Sequence, residues 1–215
     1  MSHEIGYHPD LKEKKIVLAS HNQGKLKELV EALSLYPELS LLTATDFNLD
    51  EPIEDGQTFL DNAKIKAHYV ASKTGLPSLA DDSGLCIDAM GGRPGVHTAE
   101  WFTMDNGVRD FDFGFQKIKQ EVFIDTDKSA SMICILVLAL PNGTDFIFEG
   151  KVNGEITLAP AGQSGFCLDP LFVPEGFQEP FAVLGPQIKS IHSARARALR
   201  KFEHFIGHSL QLVTH

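Results

Sequence analysis

Three observations predict a mixed α/β fold. Short apolar runs of strand character alternate with segments whose apolar residues recur at helical spacing, glycine- and proline-bearing turns separate them, and no linker, repeat or low-complexity stretch divides the chain. The 215 residues, 43% hydrophobic and 22% charged, suffice for one substantial core. A single domain over 15–215, behind an N-terminal extension over 1–14, is therefore expected.

The elements follow in order. Lys15 to Ser20 (KIVLAS) reads as a strand, and His21-Asn22-Gln23-Gly24 as the turn after it. Leu26, Leu29, Val30 and Leu33 then recur at i, i+3, i+4 and i+7, the stripe of an amphipathic helix. A second helix opens at Thr58 and Asp61, which have capping-box spacing with Asp in place of Glu. Leu60, Ala63, Ala67, Val70 and Ala71 line its face, and Gly75 and Pro77 mark its stop. Beyond LADDSGLCID (Leu79 to Asp88) come a loop from Gly91 to Gly95 and a helix over Arg109 to Val122. Strands over Ala130 to Leu140 and Thr144 to Val152 flank a hairpin turn, Pro141-Asn142-Gly143. A basic helix from Ser193 to Phe205 follows.

Charge and cysteine usage narrow the function classes. Lys and Arg number 19 against 29 Asp and Glu, a formal charge of -10, and such a surface repels a polyphosphate backbone. A nucleic-acid polymer is therefore not expected as a partner, whereas a local basic pocket for one small anion is compatible with that balance. Cys86, Cys134 and Cys167 form no C-x-x-C pair, which argues against a disulfide framework or zinc knuckle and for a reducing cytoplasm. The N-terminus lacks the apolar core of a secretory signal, and Met132 to Leu140 is too short for a membrane helix of about 20 residues. No membrane partner is expected.

Two stretches carry candidate chemistry. In Ser20 to Glu28 (SHNQGKLKE) a loop leaves a strand and enters a helix, so unpaired N–H groups and the positive end of the helix dipole can cradle phosphate, with Lys25 adding charge. A Walker A loop would need Gly where Ala19 stands and Ser or Thr where Leu26 stands, so a P-loop phosphotransferase fits poorly. The bland alternative is a plain turn. In the second stretch Asp81 and Asp82 are adjacent, and in extended backbone their side chains point to opposite faces, so one enters a given cleft while the other orients the turn or its neighbours. One inward carboxylate with a second from elsewhere, Glu54 being the best candidate, suits Mg²⁺. Here the alternative is that both aspartates decorate a turn.

Several ordered motifs then point to a family. They are Ser20-x-Asn22-x-x-Lys25-x-x-Glu28, Thr58-Phe59-x-x-Asn62-Ala63-x-x-Lys66-Ala67, Thr74-Gly75-Leu76-Pro77-x-Leu79-Ala80-Asp81-Asp82-Ser83-Gly84-Leu85 and Gly92-x-Pro94-Gly95-Val96. Gly165-Phe166-x-x-Asp169-Pro170-x-Phe172-Val173-Pro174-Glu175-Gly176, Lys189, and Ser193-x-Arg195-Ala196-Arg197-Ala198-Leu199 follow. Each is weak alone, but their joint order, from about Ile16 to Phe202, resembles the inosine/xanthosine triphosphate pyrophosphatase family.

The resemblance implies an elongated, two-lobed α/β fold with a central mixed sheet, a nucleotide cleft between the lobes and a homodimer. It also implies Mg²⁺-dependent cleavage of non-standard purine triphosphates (ITP, dITP, XTP) between the α- and β-phosphates. By position, Ser20, His21, Asn22, Gln23, Gly24 and Lys25 would hold the triphosphate, assisted by Lys66, and Glu54 and Asp82 would hold metal. Asp82 would also serve the attacking water, with Ser83 beside the substrate. Because a bound cation lowers a carboxylate's proton affinity, orienting a metal-activated water is the better reading of Asp82 than direct proton abstraction. Lys25 and Lys189 would offset charge as pyrophosphate departs.

The base site departs from the family. Gly-Phe-Gly-Tyr-Asp-Pro in relatives becomes Gly165-Phe166-Cys167-Leu168-Asp169-Pro170, which keeps the Phe166 stacking face and the Asp169 acceptor but loses the tyrosine. Ser-His-Arg becomes Ser193-Ala194-Arg195, so Arg195 keeps its fork for the oxygen at purine position 6 while the histidine's contribution is missing. His192 could replace it only through a local shift, since a helix would turn it away. These departures sustain one competing reading, a nucleotide-binding or sensing protein with weak or lost turnover. Bland readings cover the rest: His204 and His208 lack the H-E-x-x-H arrangement, Trp101, Phe102, Phe111, Phe113 and Phe115 read as core or dimer packing, and Arg200 and Lys201 as a solvated face.

Overall fold

The computed structural model describes residues 14–122, 127–165 and 167–211, the side chains of 208–211 excepted. The expected extension thus lies outside the described residues apart from Lys14. In chain order the elements are β1 (Lys15–Leu18), α1 (Gln23–Leu33), β2 (Ser40–Thr43), α2 (Phe59–Thr74), β3 (Ser78–Ile87), α3 (Thr98–Trp101) and α4 (Phe111–Glu121). Then come β4 (Ser129–Ala139), β5 (Asp145–Ile156), β6 (Phe172–Pro174), α5 (Phe181–Leu184), α6 (Pro186–His192) and α7 (Ala194–Gln211). The strands form one sheet in the order β2-β1-β3-β4-β5-β6. It is mixed, as expected: β1 pairs parallel with β2 and β3, and β5 pairs antiparallel with β6.

The chain divides into two compact units, each assembled from separate segments. Of the described residues, the first comprises 14–82, 135–148 and 198–211. Its core joins Ile16, Val17 and Leu18 of β1 to Leu136, Val137 and Leu138 of β4, each wholly buried. Phe202 of α7 meets the Phe148 ring edge-on at 5.3 Å. Burial along all of this part of β4 explains its unbroken apolar run, where a half-exposed strand would alternate. α2 begins at the predicted capping box, with Thr58 accepting from the Asp61 N–H and Asp61 reaching back to the Thr58 N–H. It ends where Gly75 takes a left-handed conformation. In α1, Leu26, Leu29 and Leu33 are buried but Val30 is 44% exposed, so the apolar stripe is narrower than its spacing suggested.

Across this unit, Lys64 and His68, one turn apart on α2, lie 3.1 and 2.9 Å from Asp145 at the start of β5. Burial pushes the Asp145 carboxyl up, but hydrogen bonds from His68 and Lys64 and their charge outweigh it and hold the carboxyl below its ordinary value. Folding therefore favours the charged form, which stabilises the protein above the unfolded carboxylate range and ceases to do so as pH falls through the depressed folded value. Asp145→Asn is expected to cost about 1 kcal/mol at pH 7 in urea unfolding, and to shrink the stability difference between neutral and strongly acid solution.

The second unit comprises the described residues of 83–134 and 149–197. Phe102 and Phe115, 2% and 6% exposed, bear out core packing for that part of the aromatic stretch. Phe102 stacks on Phe111 at 5.6 Å. Four elements here were not anticipated: α3 is a single turn, β6 has only three residues and ends in proline, and α5 and α6 are short helices lying between Phe181 and His192. The predicted basic helix begins one residue late, at Ala194, because Ser193 is extended and its hydroxyl accepts from the Ala196 N–H. β2, in the first unit, was also missed, since SLLT offers only four residues and little burial contrast.

Candidate active site

In the first unit, the phosphate-loop candidate is held by its own side chains. The Ala19 N–H donates to the Leu79 carbonyl at 2.8 Å, tying the end of β1 to β3. Asn22 caps α1 by accepting from the Lys25 N–H at 3.2 Å, and its own N–H donates to Ser20 Oγ at 3.2 Å. His21 Nε2 lies 3.0 Å from the Leu49 carbonyl. Ser20, His21 and Asn22 therefore shape the turn, while Gln23 and Gly24 open the helix, where N–H groups have no intrahelical partner. Lys25 Nζ reaches Asp81 Oδ2 at 3.1 Å, and the Asp81 side chain is fully buried.

β3 supplies both adjacent aspartates in extended backbone, so their side chains alternate and meet lysines from different helices: Lys25 of α1 for Asp81, Lys66 of α2 for Asp82. Lys66 Nζ lies 2.8 Å from Glu54 Oε2 and 3.3 Å from Asp82 Oδ1. Glu54 sits on a loop pinned to α2, where the buried Asn62 Oδ1 accepts from the Gly56 N–H at 2.8 Å. The approach is so close that a Cβ on Gly56 would collide with Asn62 and Asp61. Glu54, Lys66, Asp82, Asp81 and Lys25 thus form one charged cluster. Asp81 was not among the site candidates, although its place beside Asp82 in a strand was the available signal.

The electrostatics of the cluster are mixed. Burial pushes the Asp82 carboxyl above its ordinary value despite the opposing charges of Lys66 and Lys25. Burial alone would lower Lys66, but the carboxylates of Asp82, Asp81 and Glu54 together raise it, so the amine stays charged. Asp82 Oδ2 is buried with no hydrogen-bond partner among the described residues. This oxygen and Glu54 form an all-oxygen donor pair that fits a hard divalent ion such as Mg²⁺, which takes one or two carboxylates and completes its shell with water and phosphate. Among the described residues no three His, Cys, Asp or Glu side chains group to hold a metal, so a site of that fuller kind is not built here.

In the second unit, Ser83 follows Asp82 on β3, and its Oγ accepts from Arg195 at 3.2 Å. Ala194 and Arg195 are 4% and 8% exposed. Lys189 of α6 donates to Asp169 Oδ2 at 2.7 Å, and Asp169 is 1% exposed. Gly165, at φ 79, sits where any Cβ would run into the Asp169 carboxylate. Leu168 is buried, whereas Cys167 is exposed in a left-handed conformation at φ 54. Phe166 lies outside the described residues. His192 ends α6 with its ring edge-on to Phe177 at 5.1 Å, and the extended Ser193 after it removes the helical geometry on which the expected turn away from position 194 was based. A separate groove of about 760 Å³, at Lys128, Lys151, Asn153, Glu155 and Glu175, contains none of these candidates.

Residues 16–205 match the model of the Ham1 family. A dITP/XTP pyrophosphatase of Zymomonas mobilis is 43% identical over 190 residues, covering 87% of this chain and 89% of the relative. One of Ruegeria pomeroyi is 42% identical, covering 87% and 92%. Among solved structures, a HAM1 protein from Coxiella burnetii superposes with a TM-score of 0.81 at 36% identity, covering 90% of this chain and 98% of that one.

Proposed function

The chain belongs to the Ham1 family, and from that membership we propose that it is a pyrophosphohydrolase of non-standard purine nucleoside triphosphates, yielding the monophosphate and pyrophosphate. The relatives named as dITP/XTP pyrophosphatases support this reading. Mg²⁺ as cofactor, action in the cytoplasm and a homodimeric state are parts of the same proposal. No helix among the described residues is long and apolar enough to cross a membrane.

The observation that carries the proposal is the cluster around Lys66, where two carboxylates converge and one buried carboxylate oxygen has no hydrogen-bond partner. Glu54 and Asp82 would hold Mg²⁺, which when bound neutralises phosphate charge and polarises the reacting group. Lys25 and the first N–H groups of α1 bind phosphate oxygens through charge and dipole. Asp82 would turn Oδ2 to the ion and so orient the attacking water, and direct proton abstraction is the poorer role because a cation lowers a carboxylate's proton affinity even where burial raises it. In the second unit, Arg195 donates to an oxygen at purine position 6, an acceptor that adenine lacks. Asp169 accepts from the purine edge, and Phe166 offers a stacking face worth about 1–3 kcal/mol.

The test is product analysis after incubation with ITP, XTP, dITP and ATP plus Mg²⁺. Monophosphate with pyrophosphate is expected. Diphosphate with orthophosphate, or binding without turnover, would overturn the assignment. Ala194→His is expected to raise the ratio of kcat/KM for ITP over ATP by about tenfold, the worth of one hydrogen bond. An unchanged ratio would show that position 194 does not face the base.

A further inference from the structure

We propose that Lys66 is the internal counter-ion of the metal site, a residue that bridges Glu54 and Asp82 before a divalent ion arrives and competes with that ion for both carboxylates. The proposal rests on Glu54 and Asp82 being the metal ligands. Its ground is geometric. The ammonium stands 2.8 Å from Glu54 and 3.3 Å from Asp82, where a cation shared by the two carboxylates would stand. The side chain is only 8% exposed, and Asn62, Ala63, Ala67 and Val70 of the same helix are buried with it. Asp81 lies 3.1 Å from the Lys25 amine and so already balances another charge.

A divalent ion that takes both carboxylates therefore leaves the Lys66 ammonium buried without its anions, at a cost that weakens the ion's affinity. A polyphosphate brings new anionic oxygens for that ammonium. Ion and polyphosphate are then coupled through one side chain, each raising the other's affinity by the same factor. Lys66 thereby acts as a positioning residue: it keeps the two carboxylates converged while discouraging metal from settling before substrate.

The test is titration with Mn²⁺ alone, free ion being followed by electron paramagnetic resonance, on the wild-type protein, Lys66→Met, Lys66→Arg and Glu54→Gln, each checked for folding by circular dichroism. Lys66→Met is expected to bind Mn²⁺ about tenfold more tightly than wild type or more. Lys66→Arg, which keeps a bridging cation, should stay near wild type, and Glu54→Gln should bind more weakly. A folded Lys66→Met that binds no more tightly overturns the counter-ion role while Glu54→Gln still reports the ligands. Binding unaffected by Glu54→Gln overturns the metal-ligand reading itself. Should Lys66→Met not fold, the Lys66 Cε resonance of ¹³C-lysine-labelled wild-type protein, assigned through Lys66→Arg, is expected to move on adding Mg²⁺ without nucleotide. A stationary resonance overturns the proposal.

Discussion

Asp82→Asn is expected to lower kcat for ITP by about 10²- to 10³-fold, the order for losing one preorganised group at the reacting centre, here the charge that would hold the ion and orient the attacking water. The replacement is isosteric, and asparagine Oδ1 can still accept from Lys66, so the packing of β3 against α2 is kept. What disappears is the charge and the acceptor at Oδ2, the buried oxygen with no hydrogen-bond partner among the described residues. Stability should move differently. Burial raises the folded carboxyl above its ordinary value, so the charged form is penalised by folding once pH exceeds the unfolded carboxylate range, and the penalty vanishes below it. Removing that charge is therefore expected to leave stability at pH 7 no lower than wild type. Steady-state kinetics and urea unfolding of one variant check both halves. Retention of more than a tenth of kcat would remove Asp82 from the chemistry.

The largest stability effect is expected at the other charge pair. Lys189→Met leaves the Asp169 carboxylate, 1% exposed, without the ammonium at 2.7 Å, and breaking a buried pair from one side typically costs about 3–5 kcal/mol. The lower figure, about 3 kcal/mol, is expected because Asp169 has further interactions of its own. Adding Asp169→Asn to Lys189→Met should recover much of that loss, since the penalty comes from the orphaned charge and not from missing packing. Urea unfolding of the two single variants and the double variant gives the coupling directly. A loss under about 1 kcal/mol in Lys189→Met would mean that the pair is solvated and contributes little.

Both predictions concern pairings that no local pattern announces. The capping box at Thr58 and Asp61, the stop at Gly75 and the hairpin at Pro141-Asn142-Gly143 were legible because each is decided within a few residues, by one side chain meeting a nearby N–H or by a glycine relieving a steric clash. β2 and β6 were not legible, for strands of four and three residues exist only by virtue of the neighbour they pair with. Val30 shows the same limit on a helix, where spacing marks a stripe but the packing neighbours decide its width.

The sequence by itself determined the mixed α/β class, the family to which the ordered motifs point, and the alternation that turns Asp81 and Asp82 to opposite sides, because each follows from backbone periodicity or from the order of residues along the chain. Tertiary structure alone decided which ammonium each carboxylate meets. Lys25 finds Asp81, and Lys66 stands between Glu54 and Asp82, residues 12 and 16 positions away from it. Charge at a few ångströms depends on where folded elements carry the side chains, and burial then sets how strongly the charge is felt; neither distance nor burial is written in residue order.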